Sequence, residues 1–296
     1  QHPTDGQLYL QSGTTNLVLD ANNNPAFIDI YNFDSLNSEI VGMGIGPNNN
    51  LHVGFSNGMF KLISHDNGTV NDGLPDTGFD IGLFEVLPSG IYSMTNDGTL
   101  IELDASNTWS QIVSASPNGW PESTEVNDLH EQNGILYAAT NNGVGRYDLN
   151  SNQPLSTWNS ANVLHSENVT GMETASNQLL FASADNGLAR YNWNSGFWLA
   201  TWNDANWLPS NKVSGIKANQ DTLHIMSGDQ LLRYNLTTGV FASSVALDDV
   251  GLVDSDYNAL FAWSSGGQRA PSTTMHVATD GGRIVLIEAS MQSTVG

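Results

Sequence analysis

Three residues occur at corresponding places in a repeated sequence, in the connections that join one group of strands to the next: Trp120, His165 and Trp207. An indole ring offers a flat apolar surface for a sugar ring or a partner's side chain, and neighbouring Asn and Asp side chains offer hydrogen bonds. The same tryptophans could instead wedge between neighbouring sheets. The sequence therefore predicts ligand contacts at these three residues, with inter-sheet packing as the alternative.

Two carboxylates, Asp128 and Glu173, stand at positions expected on inner strands. They are candidate ligand contacts too. An enzyme that cleaves polysaccharides would need a pair of carboxylates, or a His, Tyr and Arg group, converging on one point. Asp128 and Glu173 are isolated candidates, so the sequence predicts no catalytic residue and leans away from an enzyme.

Two glycine-rich motifs resemble catalytic or nucleotide-binding loops. Residues 54–58, GFSNG, match the pattern of a hydrolase nucleophile, but that pattern works only between a strand and a helix. Residues 42–46, GMGIG, lack a following helix to receive a phosphate. Both motifs are interpreted as parts of strands and turns.

Metal binding has little support in the sequence. Asp20, Asn22 and Asn24 imitate the start of a calcium loop, but Pro25 and Tyr31 replace the Gly and Glu that such a loop requires. The seven histidines lack the paired spacing of a zinc site, and the absence of cysteine excludes thiolate ligands, thiol catalysis and disulfides. We predict no metal and no cofactor. Calcium is the alternative, but the imperfect loop does not support it.

The charge balance restricts the partners. Asp and Glu number 30 against 8 Lys and Arg, which gives a formal net charge of −22. Such a chain repels nucleic acid and anionic membranes. No apolar run approaches the roughly 18 residues that span a bilayer, and the first residues do not form a signal peptide. The chain resembles a mature protein or a piece of a longer multidomain chain, and neither nucleic acid binding nor membrane insertion is expected.

A repeated β-unit organises the sequence, and residues 168–195 show it most clearly. Two strands flank a tight turn at Asp185-Asn186-Gly187, which is typical of a β-hairpin. From Gly58 to Gly98, Gly143 and Gly187 the same turn recurs at spacings of 40, 45 and 44 residues. That period, with room for four strands, is typical of a β-propeller.

The predicted fold is therefore all-β, a single propeller domain over residues 1–296 with seven four-stranded blades. The blades are expected at 7–33, 39–72, 80–116, 125–160, 168–205, 212–247 and 257–290. The first unit lacks its innermost strand and the last its outermost one. Closure of the ring by the two ends is expected but not demonstrated by the sequence, because the segment could also belong to a longer array.

One cationic position repeats in the units. Lys61, Arg146 and Arg190 each follow the turn glycine by three positions, and Arg233 occupies the same place in its own unit. A ring of cations could bind a polyanion, but repetition in so many units indicates an architectural role instead. We expect each cation to pair with an acidic neighbour between blades.

The repeats resemble a known family. Residues 208–213, LPSNKV, are followed by LRYN at 232–235, and LHSENV at 164–169 is followed by ARYN at 189–192. These segments are similar to the two-component-regulator type of propeller repeat, and the resemblance extends over about residues 73–238. It departs from the family in the middle strand, where Tyr137-Ala138-Ala139-Thr140 replaces the usual Trp-Ile-Gly-Thr type. The resemblance implies a seven-bladed sensing and binding module, extracellular or periplasmic, without a catalytic residue.

Together these observations predict a non-catalytic binding propeller of a secreted or cell-surface protein. It would recognise a glycan or a protein on the face that the connections build. A polysaccharide lyase or glycoside hydrolase with an axial acidic site is the alternative. Function should lie where the copies differ, at Trp120, His165, Trp207 and the insertion at 264–274.

Overall fold

The computed structural model describes most of the chain. The described residues are 8–12, 15–19, 27–32, 36, 38–46, 50–64, 69–72, 74–114, 120, 125–219, 222–246, 257–264, 273–279 and 284–288. For the strands before residue 33 and after residue 256, only the backbone and its pairing are described. The described contacts group the chain into two compact units, Gln1–Asn162 and Val163–Gly296. We call them unit 1 and unit 2.

Unit 1 contains four antiparallel sheets. Sheet 1 has three strands, β1 (Leu8–Ser12), β2 (Thr15–Leu19) and β3 (Phe27–Asn32). Sheet 2 has β4 (Ile40–Ile45), β5 (Leu51–Phe55), β6 (Phe60–Ile63) and β7 (Val70–Asn71). Sheet 3 has β8 (Ile81–Leu87), β9 (Gly90–Thr95), β10 (Leu100–Leu103) and β11 (Trp109–Val113). Sheet 4 has β12 (Val126–Gln132), β13 (Ile135–Thr140), β14 (Gly143–Asp148) and β15 (Gln153–Trp158).

Unit 2 continues the series with three sheets. Sheet 5 has β16 (Val169–Ala175), β17 (Gln178–Ser183), β18 (Leu188–Asn192) and β19 (Phe197–Trp202). Sheet 6 has β20 (Val213–Asn219), β21 (Thr222–Ser227), β22 (Gln230–Asn235) and β23 (Val240–Ala246). Sheet 7 has three strands, β24 (Tyr257–Ser264), β25 (Thr273–Thr279) and β26 (Ile284–Glu288).

The predicted all-β repeat is confirmed, whereas the prediction of seven four-stranded blades needs correction. Over the described residues, five sheets have four strands and the first and last have three. The shortfall falls on the terminal repeats, where the sequence had already indicated a missing strand. No helix in the described part is long and apolar enough to cross a membrane. The single domain over residues 1–296 and the closure of a ring remain predictions.

Each complete sheet is a meander in which every strand pairs with the strand that precedes it in sequence. The central hairpin turns place a glycine at positive φ, for example Gly98 at 83° and Gly187 at 81°, a conformation that residues with a Cβ adopt at a cost. The hydroxyl of the last residue in the second strand secures the turn: Thr140 Oγ1 donates to Gly143 O at 2.8 Å and Ser183 Oγ to Gly187 O at 2.9 Å. The Asn-Gly and Asp-Gly pairs in the sequence therefore correspond to real hairpins.

The first strands of neighbouring sheets pack side by side within each unit. In unit 1, β8 contacts both β4 and β12, and in unit 2, β20 contacts both β16 and β24. A small residue in the first strand allows the close approach, because a Cβ atom at Gly42 would lie 2.0 Å from the carbonyl oxygen of Phe84. Thr170 Oγ1 also donates to Val213 O at 2.8 Å, which ties β16 to β20. This arrangement is that expected of propeller-like sheets whose first strands lie innermost.

Apolar side chains fill the space between consecutive sheets. In unit 1, one buried cluster combines Tyr92 and Leu100 of sheet 3 with Leu129 and Leu136 of sheet 4. In unit 2, another combines Leu188 of sheet 5 with Leu223 of sheet 6. The second strands are buried on both faces, as in β17, where Leu179 to Ser183 are all buried. Burial of apolar area between sheets, at about 25 cal/mol per Å2, is therefore the main stabilising term.

The close approach at Gly42 predicts a strong effect of a single methyl group. Gly42→Ala would force β4 and β8 apart and should lower the free energy of unfolding by about 1–3 kcal/mol. Gly90→Ala is the matched control, because a Cβ atom there would meet its nearest neighbour at 3.5 Å, an ordinary contact. Urea unfolding of both variants measures the difference, and equal stability of the two would contradict the described packing.

Candidate functional site

The central hairpin turns of unit 1 contact the connections that lead to the next sheet. Thr77 N donates to Gly58 O at 3.1 Å, and Trp120 Nε1 donates to Gly98 O at 2.9 Å. Both donors lie on the connection that follows the sheet whose turn they contact. The turns and these connections of unit 1 therefore lie next to each other.

In unit 2 the turn of sheet 5 is bound by the connection that follows it and by the one that precedes it, and the turn of sheet 6 is bound by the connection that precedes it. Gly187 N donates to Asn211 O at 2.7 Å, and Gly228 N donates to Lys212 O at 2.9 Å. Asn186 Nδ2 donates to the carbonyl oxygen of His165 at 2.9 Å. Hydrogen bonds thus connect the turns of sheets 5 and 6 to three residues of the connections, His165, Asn211 and Lys212. We use the name turn face for one surface of unit 2. It consists of the turns 185–187 and 228–229 and the connections 163–168 and 203–212.

Trp120 is a packing residue in the structure. Its side chain is only 2% exposed and belongs to the cluster that joins sheets 3 and 4. Its indole N–H donates a hydrogen bond to Gly98 O. Leu208 is buried on the corresponding connection of unit 2. Trp120 therefore has the inter-sheet packing role that was the alternative to ligand contact. A ligand could contact its indole ring only if the ring left the core.

His165 is exposed beside a very small cavity. The cavity has a volume of about 10 Å3 and is lined by Leu164, Phe181, Asn186 and Thr201 among others. A volume of that size holds about one water molecule. His165 can therefore contact a ligand only on the surface, and its backbone carbonyl already accepts a hydrogen bond from Asn186.

Trp207 lies on the connection 203–212 and is the exposed member of an aromatic cluster. Its side chain is 57% exposed, and its ring stacks on Phe241 with centroids 5.6 Å apart and planes inclined by 30°. Phe241 in turn contacts Tyr234 at 5.0 Å and the buried Trp202 at 5.6 Å. The cluster holds the Trp207 ring in place while one of its surfaces faces solvent.

A rigid turn carries Trp207. Asn203 N donates to Asn206 Oδ1 at 3.0 Å, Asn206 Nδ2 donates to Thr201 O at 2.9 Å, and Trp207 N donates to Asn203 O at 3.0 Å. The equivalent turn after sheet 4 has the same bonds: Asn159 N to Asn162 Oδ1 at 3.0 Å and Asn162 Nδ2 to Thr157 O at 2.9 Å. The two turns share one scaffold, which the sequence displays as WNSAN at 158–162 and WNDAN at 202–206.

Two polar side chains lie on the same connection as Trp207. Asp204 is exposed, and its backbone N–H donates to Asn211 Oδ1 at 3.1 Å, which places the Asn211 amide against the backbone of Asp204. Among the described residues, neither the Asp204 carboxylate nor Asn211 Nδ2 has a hydrogen-bond partner. The connection therefore carries an acceptor group and a donor group on the same segment as an exposed aromatic ring.

The two candidate carboxylates occupy inner strands of different units. Asp128 is half-buried in β12, where it follows a bulge and pairs with Ala139. In β4, β16 and β20 the position after the equivalent bulge is a glycine, so Asp128 departs from the repeat. Glu173 is buried in β16, and its Oε2 lies 2.9 Å from Lys217 Nζ of β20. Glu173 therefore helps to join sheets 5 and 6, whereas ligand binding by either residue remains a proposal.

The repeated cations have partners other than those expected. The guanidinium of Arg146 lies 4.1 Å from the ring centroid of Trp158, and that of Arg190 lies 4.2 Å from that of Trp202. Arg146 Nε also donates to Ser156 O at 2.9 Å. Lys61 pairs with an acidic residue, Asp72, but Asp72 follows β7 of the same sheet and does not belong to a neighbouring blade. In sheets 4 and 5 the cation thus stacks on a tryptophan of its own outer strand, an interaction worth about 0.5–2 kcal/mol.

Unit 1 carries a wider cleft near this ion pair. Its volume is about 270 Å3, and it is lined by Met59, Phe60, Lys61, Asp72, Leu74 and Asp76. The ion pair between Lys61 and Asp72 satisfies the cation in its wall. The one cation among the described residues that line the cleft, Lys61, is therefore already paired with an anion that also lines it, Asp72.

Metal binding gains no support from the described side chains. Among them, no three His, Asp or Glu side chains gather in a way that could hold a metal ion. The candidate calcium loop residues Asp20, Asn22 and Asn24 lie outside the described residues, as does most of the insertion at 264–274. No statement about those two candidates follows from the structure.

Comparisons with known proteins show likeness in fold. No protein-family model and no curated protein matches the chain. A crystal structure of the computationally designed Ika8 protein matches with 13% identity and a TM-score of 0.61, covering 95% of this chain and 82% of that one. A chain in the crystal structure of the Mitotic Checkpoint Complex matches with 14% identity and a TM-score of 0.68, covering 96% and 86%.

A third match is the extracellular domain of a putative hybrid two-component system from B. thetaiotaomicron. The identity is 15%, the TM-score is 0.57, and the match covers 87% of this chain and 34% of that one. The chain thus spans about a third of the length of that relative. With the repeated four-stranded sheets, these likenesses show a propeller-like β fold. The predicted two-component-regulator type of repeat remains a prediction, because no family model matches the chain.

Sequence reasoning found Trp207 but missed its neighbours. Phe241 lies in the outer strand of the next sheet, so no local pattern connects it with Trp207. Asp204 and Asn211 could have been found by aligning residues 158–169 with 202–213, because Ser160 and Glu167 take their places in the other copy. Differences between two copies of one scaffold were the usable signal.

The contrast between the two tryptophans gives a stability prediction. Trp120→Phe removes the buried donor to Gly98 O and should lower the free energy of unfolding by about 1–3 kcal/mol. Trp207→Phe makes the same chemical change at an exposed ring and should alter it by about 0.5 kcal/mol or less. Urea unfolding of the two variants measures this difference. A larger loss at Trp207 than at Trp120 would refute the assigned burial.

A fully buried histidine in unit 2 predicts how stability depends on pH. Burial, and then the charge of nearby Arg233, lowers the pKa of His224 from 6.5 to about 4. Between these two values the unfolded chain binds more protons than the folded one, so stability is lost as the pH falls from 6.5 towards 4. The loss from this one group should be on the order of 2–3 kcal/mol.

His224→Gln tests the source of that loss. Urea unfolding at pH 7 and pH 4.5 should show a smaller difference in free energy for His224→Gln than for the wild type. His165→Gln, at an exposed position, is the control and should retain the wild-type difference. An unchanged difference in the His224 variant would show that this residue does not titrate as described.

Proposed function

We propose that the protein is a non-catalytic binding module that recognises a glycan or a protein through the face formed by its hairpin turns and inter-sheet connections. The observation that carries the proposal is the docking of turns onto connections by hydrogen bonds such as Gly187 N to Asn211 O at 2.7 Å. This docking produces a rigid surface before any ligand arrives. Preorganised surfaces bind with a smaller entropic cost.

The differences between repeats support recognition on this face. The scaffold bonds of the two WN-x-AN turns are the same, whereas the residue that follows each turn differs: it is the exposed Trp207 in one copy and the half-buried Val163 in the other. A residue needed only for folding should recur with the scaffold. An exposed tryptophan that appears in one copy is better explained by contact with a ligand.

The likeness to an extracellular domain supports the proposed location. That relative is part of a putative two-component system, which fits a sensing or binding role outside the cytoplasm. The chain of the Mitotic Checkpoint Complex belongs to a protein assembly, which fits protein binding by this kind of fold. For this chain we propose a secreted or surface location, with the periplasm as the alternative.

An enzymatic role is the weaker proposal. Glu173 is engaged with Lys217 in the contact between β16 and β20, so this carboxylate already has a structural task. Glycoside hydrolysis needs two carboxyl groups flanking the bond that breaks. The described residues therefore give polysaccharide cleavage no specific support.

One paired experiment distinguishes binding from catalysis. The wild-type protein is applied to a glycan array and a panel of extracellular proteins, and incubated separately with marine and plant polysaccharides. We expect binding on the array or panel without new reducing ends or unsaturated products. Release of such ends would refute the non-catalytic function, and so would the absence of any binding in both formats.

A further inference from the structure

We infer that Trp207, supported by Phe241 and flanked by Asp204 and Asn211, is a binding subsite for a single neutral pyranose ring of a glycan. This inference rests on the proposed binding function and specifies its ligand class. It concerns only unit 2, where all four residues lie. The four are collectively named the Trp207 platform.

The aromatic part of the platform fits the apolar face of a sugar. A pyranose presents several C–H groups on one face, and an indole ring offers the complementary flat surface with a negative potential. Trp207 is 57% exposed, and Phe241 stacks against it at 5.6 Å, which limits the rotation of the ring. Because the ring is already held, a ligand loses little affinity in ordering it.

The polar part fits sugar hydroxyls. Adjacent hydroxyl groups each donate and accept, so a carboxylate and an amide side by side are a suitable pair of partners. The bond from Asp204 N to Asn211 Oδ1, 3.1 Å long, holds the Asn211 amide against the Asp204 backbone, and among the described residues the Asp204 carboxylate and Asn211 Nδ2 have no hydrogen-bond partner. A purely apolar anchor of a protein partner would make no use of them.

Charge indicates that the sugar is neutral. The connection carries one exposed anion, Asp204, and one exposed cation, Lys212, so its local charge is balanced. The whole chain has a net charge of −22, which repels uronate-rich and sulfated polysaccharides over distances within the Debye length. A neutral hexose or pentose polymer meets no such repulsion.

The equivalent turn supplies a natural comparison. At 159–167 the same hydrogen-bonded scaffold carries Ser160, Val163 and Glu167 in place of Asp204, Trp207 and Asn211. All three platform residues on the connection are thus replaced together, while the scaffold asparagines are retained. The substitutions Trp207→Val and Asp204→Ser therefore introduce residues that this turn already accommodates in the same protein.

The test is native affinity electrophoresis in gels containing laminarin, xylan or galactomannan as neutral probes, and alginate or polygalacturonate as anionic probes. Isothermal titration with the retarding polysaccharide then gives the association constant. We expect retardation by at least one neutral probe and by neither anionic probe. Trp207→Val should lower the association constant roughly tenfold or more, and Asp204→Ser should lower it about threefold or more.

Phe197→Ala is the control, because Phe197 is 71% exposed but begins β19, at the opposite end of that strand from Trp202. It should retain wild-type affinity, and unfolding curves should show that Trp207→Val remains folded. Wild-type retardation by a neutral probe that Trp207→Val leaves unchanged would overturn the platform but leave the proposed binding function standing. Retardation by no neutral probe, or by anionic probes alone, would also overturn it. The proposed function fails separately, if the glycan and protein panels yield no ligand.

Discussion

The hydrogen bonds between hairpin turns and inter-sheet connections are the interaction on which the rest of the structure depends. In sheets 3 and 5 a glycine at positive φ closes the central turn, and the connection that follows the sheet binds it, as Trp120 Nε1 donates to Gly98 O and Asn211 O accepts from Gly187 N. Without this bond the buried polar atoms of the turn would lack partners, at a cost of about 1–3 kcal/mol each. The bond therefore sets both the packing of successive sheets and the surface exposed above them.

Recurrence explains which features are structural. The bulge in the first strand, the arginine over the outer-strand tryptophan and the asparagine turn all occur in more than one sheet. Each has a physical task within the sheet or between sheets. Trp207, Asp204 and Asn211 differ from these recurring features. The other copy of the same turn has different residues at all three positions, so the fold of the turn does not require them.

The sequence predicted local structure well, and tertiary contacts poorly. Strands β16 to β19 all lie inside the unit predicted at 168–205, because turn glycines and apolar runs are local signals. It could not separate Trp120 from Trp207, since burial depends on the neighbouring sheet. The sequence also predicted acidic partners for the arginines and missed the tryptophans on which they stack. Each tryptophan lies twelve residues after its arginine and becomes adjacent only through the pairing of β14 with β15 or of β18 with β19. The excess of predicted four-stranded sheets came from extending one repeat to both ends of the chain.

The docking of turns onto connections is tested most directly by amide hydrogen exchange of the folded protein. The account predicts that the amides of Gly187 and Gly228 exchange about as slowly as those of the adjoining strands, because Asn211 O and Lys212 O accept their hydrogen bonds. The amide of Asp185, which has no acceptor among the described residues, should exchange rapidly and serves as the internal reference. Exchange of Gly187 and Gly228 as rapid as that of Asp185 would contradict the account.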